Sequence, residues 1–367
     1  MIKNTYFVPS FGNKPKELVG RDSEISSFIA GLNSPVGSRE RATLILGQRG
    51  YGKTVLLLEL AEQAKKNGFV VASPTVTSKG MLERIVEKIQ DEGEAYLRRS
   101  DSKLSGGNFG ALGFSFGLQF DRDDHETKSF TYKLAKLCCA LESKDKGVLI
   151  LVDEVQGNNE NLKELIIAYQ ELVGEGRNIA IAMAGLPGAV SSVLNNHVLT
   201  FLNRANKVVL GPLKPGDVET YYREAFRETG IQISDECISV AADAAEGSPY
   251  MMQLVGYYIT KYAEDSGEVV PENVIKAIQT AKQEFTTDIC RTSVNALSET
   301  DIRFIKAMAV DEESSRISDI TARLKVKPDY TQRYKTRLID AGIITQERRG
   351  EVKFAIPYLK DYIRSEI

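Results

Sequence analysis

Apolar positions fall into two regimes along this chain of 367 residues. In the first 210 or so, short uninterrupted apolar runs alternate with stretches where apolar residues recur every three or four positions. The runs are Leu44-Ile45-Leu46, Phe69-Val70-Val71-Ala72, Val148-Leu149-Ile150-Leu151-Val152, Ile179-Ala180-Ile181-Ala182-Met183-Ala184-Gly185 and Lys207-Val208-Val209-Leu210. The run 148–152 predicts a strand covered on both faces, and the others predict further strands of the same core. Between them, Ile25, Phe28, Ile29 and Leu32, then 55–61, then Leu82, Ile85, Val86 and Ile89 have the spacing of amphipathic helices. Strands alternating with helices imply a parallel sheet with helices on both faces. Beyond Gly211-Pro212-Leu213 only helical spacing remains, over 216–229, 235–246, 249–264 and 272–290. Breaks at Gly230, Gly247-Ser248-Pro249 and Gly267 to Pro271 divide it, which predicts a small helical domain with a linker helix.

The last seventy-five residues or so read as a third unit. Ser298-Glu299-Thr300-Asp301 caps a helix carrying Ile302, Phe304, Ile305 and Met308. A second helix, Ile317–Leu324, meets a turn at Lys325-Val326-Lys327-Pro328-Asp329, and a third over 330–341 ends at Gly342. Two strands, 343–347 and 352–356, then flank Arg348-Arg349-Gly350-Glu351. Three helices and a hairpin make a winged helix-turn-helix. The expected boundaries are therefore 1–210, 211–290 and 291–367. On the third helix, Tyr330, Tyr334, Leu338 and Ala341 share one face and are expected to point inward. That leaves Gln332, Arg333 and Thr336 outward, with Lys335 and Arg337 on the flanks. Gln and Arg can read base edges while flanking cations contact phosphates, and Arg348 and Arg349 at the wing tip can reach a neighbouring backbone or minor groove. Double-stranded DNA is the partner this pattern suggests. Docking of a protein partner is the open alternative.

One pattern carries chemistry directly. Gly47-Gln48-Arg49-Gly50-Tyr51-Gly52-Lys53-Thr54 spells G-x-x-x-x-G-K-T between the first predicted strand and the first long helix. Strand, glycine loop, helix is the context that makes this pattern a phosphate cradle. The glycines let backbone N–H groups converge, and the helix N-terminus adds its positive dipole end. Lys53 can reach the β- and γ-phosphates, and the Thr54 hydroxyl is placed to hold Mg²⁺. About a hundred residues on, the strand at 148–152 ends in Asp153-Glu154. Acids at the end of a buried strand are costly without a cation. Mg²⁺ on ATP supplies one: Asp153 would support the metal and Glu154 would orient and activate the attacking water. The adjacent Glu favours hydrolysis over transfer to a substrate.

Composition narrows the remainder. Hydrophobic content of 42% and charge of 26% are ordinary for a globular protein. No apolar run approaches a membrane span, and no secretory apolar stretch opens the chain. The four cysteines show no C-x-x-C spacing, and His125 and His197 are the only histidines. A zinc site or disulfide framework is not expected, and the cytoplasm is the expected compartment. Net charge is −3, yet across 323–353 nine basic residues face four acidic ones, a local excess of five that points toward a polyanion. Residues 100–124 break every pattern, with Gly106, Gly107, Gly110, Gly113 and Gly117 among Phe109, Phe114, Phe116 and Phe120. A hairpin insertion tucking its rings under itself, or one touching a partner, would both fit.

Together these residues resemble an AAA+ ATPase of the origin-recognition/initiator-like clade, related to archaeal-type and STAND-like ATPases. The resemblance rests on the glycine loop, on Ile150-Leu151-Val152-Asp153-Glu154-Val155-Gln156, and on Leu18-Val19-Gly20-Arg21. In that clade the last segment packs beside the adenine, which brings Val19 and Arg21 into the expected nucleotide site. The resemblance implies a five-stranded core, a helical lid and a C-terminal winged helix, with ATP and Mg²⁺ as cofactors. It also implies a subunit-boundary role for Arg204, as an arginine finger completing a neighbour's site in an ATP-dependent oligomer; a surface Arg satisfying a helix end is the other reading. Two family features are missing here. Met183-Ala184-Gly185-Leu186-Pro187 supplies no polar sensor, and Tyr250 follows Gly247-Ser248-Pro249 where relatives carry an arginine. An ATP-dependent switch acting on DNA is the expected function; a signalling or defence-type ATPase docking a protein, and an oligomeric remodeller or loader, are the alternatives.

Overall fold

In the computed structural model, residues 6–10, 14–97, 129–156, 159–195, 199–263 and 267–366 are described. The Gly/Phe-rich segment 100–124, and both histidines, lie outside them. The first half alternates as the apolar runs predict: α1 (Asp22–Leu32), β1 (Ala42–Leu46), α2 (Lys53–Lys66), β2 (Phe69–Val76), α3 (Met81–Leu97), α4 (Phe130–Glu142), β3 (Gly147–Asp153), α5 (Glu160–Gly174), β4 (Ile179–Gly185), α6 (Pro187–Leu194) and β5 (Asn206–Val209). The strands form one five-stranded sheet in the order β2-β3-β4-β1-β5, every pair parallel. Every residue of β3 and β4 is buried, because helices cover both faces. Leu149 and Leu151 pack with Leu56, Leu57 and Leu60 of α2. Ile150 and Val152 pack with Ile85 and Ile89 of α3 and with Leu134 and Leu137 of α4. Parallel strands place all their C-terminal ends on one edge, so the loop after β1 and the acids after β3 share that edge.

The second half is helical: α7 (Pro215–Thr229), α8 (Asp235–Asp243), α9 (Pro249–Ala263) and α10 (Pro271–Phe285). The last predicted helix, 272–290, does not simply end. It widens into one π-helical turn, Thr286–Arg291, and runs on as α11 (Thr292–Asn295). A segment from the chain start plugs this bundle. Phe7 is 2% exposed, its ring 5.8, 5.8 and 5.3 Å from those of Tyr221, Tyr222 and Phe226. Gly256 admits it, since a Cβ there would overlap the ring. Further along the segment, Lys14 Nζ reaches Glu59 at 2.6 Å and Glu62 at 2.5 Å, both on α2.

The C-terminal stretch folds as α12 (Glu299–Met308), β6 (Ser315–Arg316), α13 (Ile317–Leu324), α14 (Pro328–Asp340), β7 (Ile344–Arg348), β8 (Glu351–Phe354) and α15 (Leu359–Glu366). Ser298 and Asp301 form a complete capping box at the start of α12. The three short strands pair antiparallel in the order β6-β8-β7. Pro328, expected in the turn, is instead the first residue of α14, where its fixed φ and missing N–H suit a helix start. The helix phase also differs from expectation. Thr331, Lys335 and Leu338 are buried, with Tyr334 only packed against the core. Lys335 is therefore not on the outer flank: its stem lies inside and its ammonium donates to Gln346 Oε1 at 2.9 Å. One apolar core runs from Tyr222 and Phe226 of α7 through Phe285 to Phe304, Leu338 and Val352.

Phe7→Ala removes a buried ring whose pocket walls are other elements' aromatics. It is expected to cost about 3–5 kcal/mol, read as a lower midpoint in denaturant unfolding followed by circular dichroism.

Candidate nucleotide site

The glycine loop follows β1 without slack. Gly47 N donates to Gly185 O at 3.4 Å, which ties the loop's start to the end of β4. Gly50 and Gly52 have φ of 78° and 80°, left-handed values that favour glycine and let the chain bend into α2. Lys53 opens α2, its Nζ donating to the carbonyls of Gly47 at 2.9 Å and Gln48 at 2.8 Å, so the lysine lies across its own loop. Burial pushes its ammonium down to about 8; Asp153 and Glu154 oppose this, and Arg49 adds to it.

Thr54 Oγ1 donates to Asp153 Oδ2 at 2.5 Å across ninety-nine positions of sequence. Asp153 is buried at the end of β3, and its other oxygen accepts the backbone N–H of Glu154 at 2.9 Å. Both oxygens of a costly buried carboxylate are thus partnered. Glu154 has φ of 51° and is exposed. A non-glycine residue held there costs on the order of 1–3 kcal/mol. Val155 N on Ala184 O at 2.9 Å fixes the far side of this turn. The result is a hydroxyl and a carboxylate in contact, an ammonium on the loop, and a second carboxylate facing solvent beside them. Hard oxygen donors of this kind suit Mg²⁺, which takes one or two protein oxygens and leaves other positions to water and phosphate. Among the described residues no cluster of three or more His, Cys, Asp or Glu could form an all-protein metal cage.

Other segments close on the loop. Arg21 is buried and donates through Nη2 to Gly211 O at 2.7 Å, at the junction between the sheet and the helical part, while Val19 is half-buried beside it. Burial lowers the Arg21 guanidinium pKa. Tyr250 N, at the start of α9, approaches Gly50 O at 3.4 Å, while its hydroxyl is held by Asp288 at 2.7 Å on the π-helical turn. Tyr51 is buried and reaches Ala355 O at 3.4 Å. Of three unpartnered polar groups here, sequence reasoning placed Gln48 and Arg49 in the loop and missed Thr77. Gln48 Oε1, Arg49 Nε and Thr77 Oγ1 are buried with no hydrogen-bond partner among the described residues. Thr77 follows Val76, which pairs with Asp153, so it borders the acidic end of β3. A polar residue at the close of an apolar strand was the available signal.

Arg204 stands apart from this constellation. It is exposed at the end of a short 3-10 turn before β5. Asn206 pairs with Thr43 and Val209 with Leu46, so Arg204 lies at the sheet edge opposite its own glycine loop. In the C-terminal unit, Gln332, Arg333 and Thr336 are exposed on α14, and Arg348 and Arg349 on the β7–β8 turn. Arg337 is exposed along its length, but its Nη2 is held at 2.6 Å by Oδ2 of the buried Asp301.

Residues 17–182 match the family described as AAA ATPase domain, and residues 287–363 match a domain of unknown function. No curated protein sequence matches the chain. Among solved structures, the Walker-type ATPase PABY2304 of Pyrococcus abyssi is similar at TM-score 0.69 and 17% identity, over 97% of this chain and 99% of that one. The Aeropyrum pernix ORC2 protein, in ADPNP–ADP complexes, is similar at 0.67 and 16%, over 97% and 94%. Cdc6p from Pyrobaculum aerophilum follows at 0.53 and 16%, over 97% and 96%. Residues 17–182 are thus an AAA ATPase domain, and the chain has the fold of the archaeal origin-recognition and Cdc6 proteins. Among the described residues no helix is long and apolar enough to cross a membrane.

Protonated Lys53 is the form that attracts anions. Affinity for Mg·ADP is therefore expected to hold below pH 8 and to fall as pH rises through about 8. Calorimetric titrations on both sides of that pH check this, with Lys53→Arg, charged throughout, as the flat control.

Proposed function

We propose that this chain is an ATP-hydrolysing switch that couples its nucleotide state to the binding of double-stranded DNA. The contact between Thr54 and Asp153 carries the reading, since it brings the two halves of a metal–nucleotide site within hydrogen-bond reach. In this reading the loop amides of residues 47–54 cradle phosphates and Lys53 leaves its own carbonyls to neutralise them. Thr54 and Asp153 hold Mg²⁺. When bound there, Mg²⁺ would supply positive charge that offsets the charge developing on the phosphates. Glu154, exposed next to Asp153, orients the attacking water and takes its proton. Val19 and Arg21 border the base. Arg204, far from its own loop, is positioned for a neighbour's site and acts only in an oligomer.

The units proposed are an ATPase core over 1–210, a helical lid with its linker helix over 211–290, and a winged helix over 291–367. DNA contact is assigned to Gln332, Arg333 and Thr336 on α14 and to Arg348 and Arg349 at the hairpin. Arg337 is already paired with Asp301, and Lys335 is turned inward, so neither is assigned a phosphate. Arg333 on the helix face and Arg348 and Arg349 at the turn supply exposed cations for a duplex groove and its flanking backbone.

Glu154→Gln is expected to keep ATP affinity near the parent value while lowering turnover by a hundredfold or more, on the order of 10²–10⁴ for a lost general base. Single-turnover phosphate release together with calorimetry checks both halves, and undiminished release would remove Glu154 from the mechanism. A duplex titration at two salt concentrations is expected to show affinity falling steeply with salt, and to lose about one unit of log–log slope per phosphate contact in Arg348→Ala. No shift at low salt would favour a protein partner for this surface instead.

A further inference from the structure

Arg49 stands inside the glycine loop, in the turn between β1 and α2, directly before the left-handed Gly50. Its side chain is half-buried, and its Nε is shut off from solvent without an acceptor. Among the described residues the guanidinium makes neither a hydrogen bond nor an ion pair. It is also close enough to Lys53 for its charge to disfavour the ammonium there. Two cations gathered in one turn, one of them with a solvent-excluded donor, are costly until an anion joins them. The acids nearby do not supply that anion. Asp153 has one oxygen on Thr54 and the other on the Glu154 N–H, and Glu154 faces solvent. Nor do other guanidinium groups share the task. Arg21 is engaged by Gly211 O, and Arg204 lies at the opposite edge of the sheet.

We infer that the Arg49 side chain is a direct ligand of the nucleotide's terminal phosphate, a second cation that the loop supplies from its own chain. The inference rests on the reading of residues 47–54 as the nucleotide site. It adds a side-chain role at a position that the G-x-x-x-x-G-K-T spacing leaves free. In that reading the loop amides cradle the inner phosphates, and Lys53 reaches the β- and γ-phosphates. Standing beside Lys53, Arg49 belongs to the outer end of the triphosphate, away from Val19 and Arg21 at the base. Its planar fork stays charged throughout the working pH range and can pair two oxygens of one phosphate. A cation fixed there would also stabilise charge that develops on the phosphate during hydrolysis. ADP lacks that phosphate and would leave Arg49 without an acceptor, as it is in this structure. Arg49 therefore makes the loop itself discriminate ATP from ADP.

Calorimetry with Mg²⁺ and either ADP or a non-hydrolysable ATP analogue tests this without any turnover. Arg49→Gln, uncharged, is expected to bind the analogue about ten- to a hundredfold more weakly than the parent chain, and ADP within about twofold of it. Arg49→Lys keeps the charge but loses the fork, and is expected to fall between the two for the analogue while matching the parent for ADP. A role confined to shaping the loop would weaken both nucleotides alike. That outcome overturns the inference, as does equal analogue affinity in all three chains. Should Arg49→Gln fail to fold, Arg49→Lys decides alone: a loss for the analogue only supports the inference, and equal losses or none overturn it. No heat from either nucleotide in the parent chain removes the nucleotide site itself. Heat in the parent with no selective loss in the variants removes only the part given to Arg49.

Discussion

The hydrogen bond from Thr54 to Asp153 is the constraint on which the rest of this molecule depends. β1 and β3 are not neighbours; β4 separates them. For the first turn of α2 to touch the end of β3, the loop must pass over the end of β4, where Gly185 stands. A Cβ at Gly185 would already lie 3.1 Å from Val155 Cβ, so little more than a backbone fits. The sheet order, the glycine at that crossing and the left-handed turn at Glu154 are all conditions for one 2.5 Å contact. Each is unfavourable or neutral alone. Together they hold a buried carboxylate with both oxygens satisfied, at the edge where the helix dipole of α2 points.

Around that contact the chain gathers parts that are remote in sequence. The helical region reaches the loop through Tyr250 and Gly50, and the junction is held by Arg21 on Gly211. The C-terminal unit arrives through Gly342, Asp340 and Ala355. Packed cores and backbone contacts are bistable rather than continuously deformable, so a loop enclosed by three segments is a natural place for nucleotide to be felt at a distance. The helical region and the C-terminal unit also share one apolar core.

Much of this was legible in the sequence. The five apolar runs gave five strands: β3 and β4 are buried on both faces and leave no alternation to misread, whereas β5 at the sheet edge alternates half-buried and exposed. The glycine loop and Asp153-Glu154 carried the site, because phosphate and metal binding need particular residues at fixed places along the chain. What escaped has physical reasons too. The phase of α14 is off by one position, since Tyr330 and Tyr334 look like core residues but their rings meet each other at the margin, tilted with centroids 4.5 Å apart. Thr331 and Lys335 go inside instead, because Thr321 and Gln346 offer them partners that no periodicity reveals. The π-helical turn at 286–291 and the proximity of Gly342 to Gln48 are tertiary facts, and a one-dimensional pattern contains neither.

The central claim is that Thr54 and Asp153 act as one unit on a single magnesium-bound nucleotide. A double-mutant cycle on Mg²⁺-dependent ATP affinity tests it most directly, using Thr54→Val, Asp153→Asn and the pair, each titrated with and without Mg²⁺. The account predicts that each single change removes most of the Mg²⁺-dependent gain and that the pair loses little more than either alone. Strictly additive losses, or an Mg²⁺ gain that survives in the double variant, would contradict it.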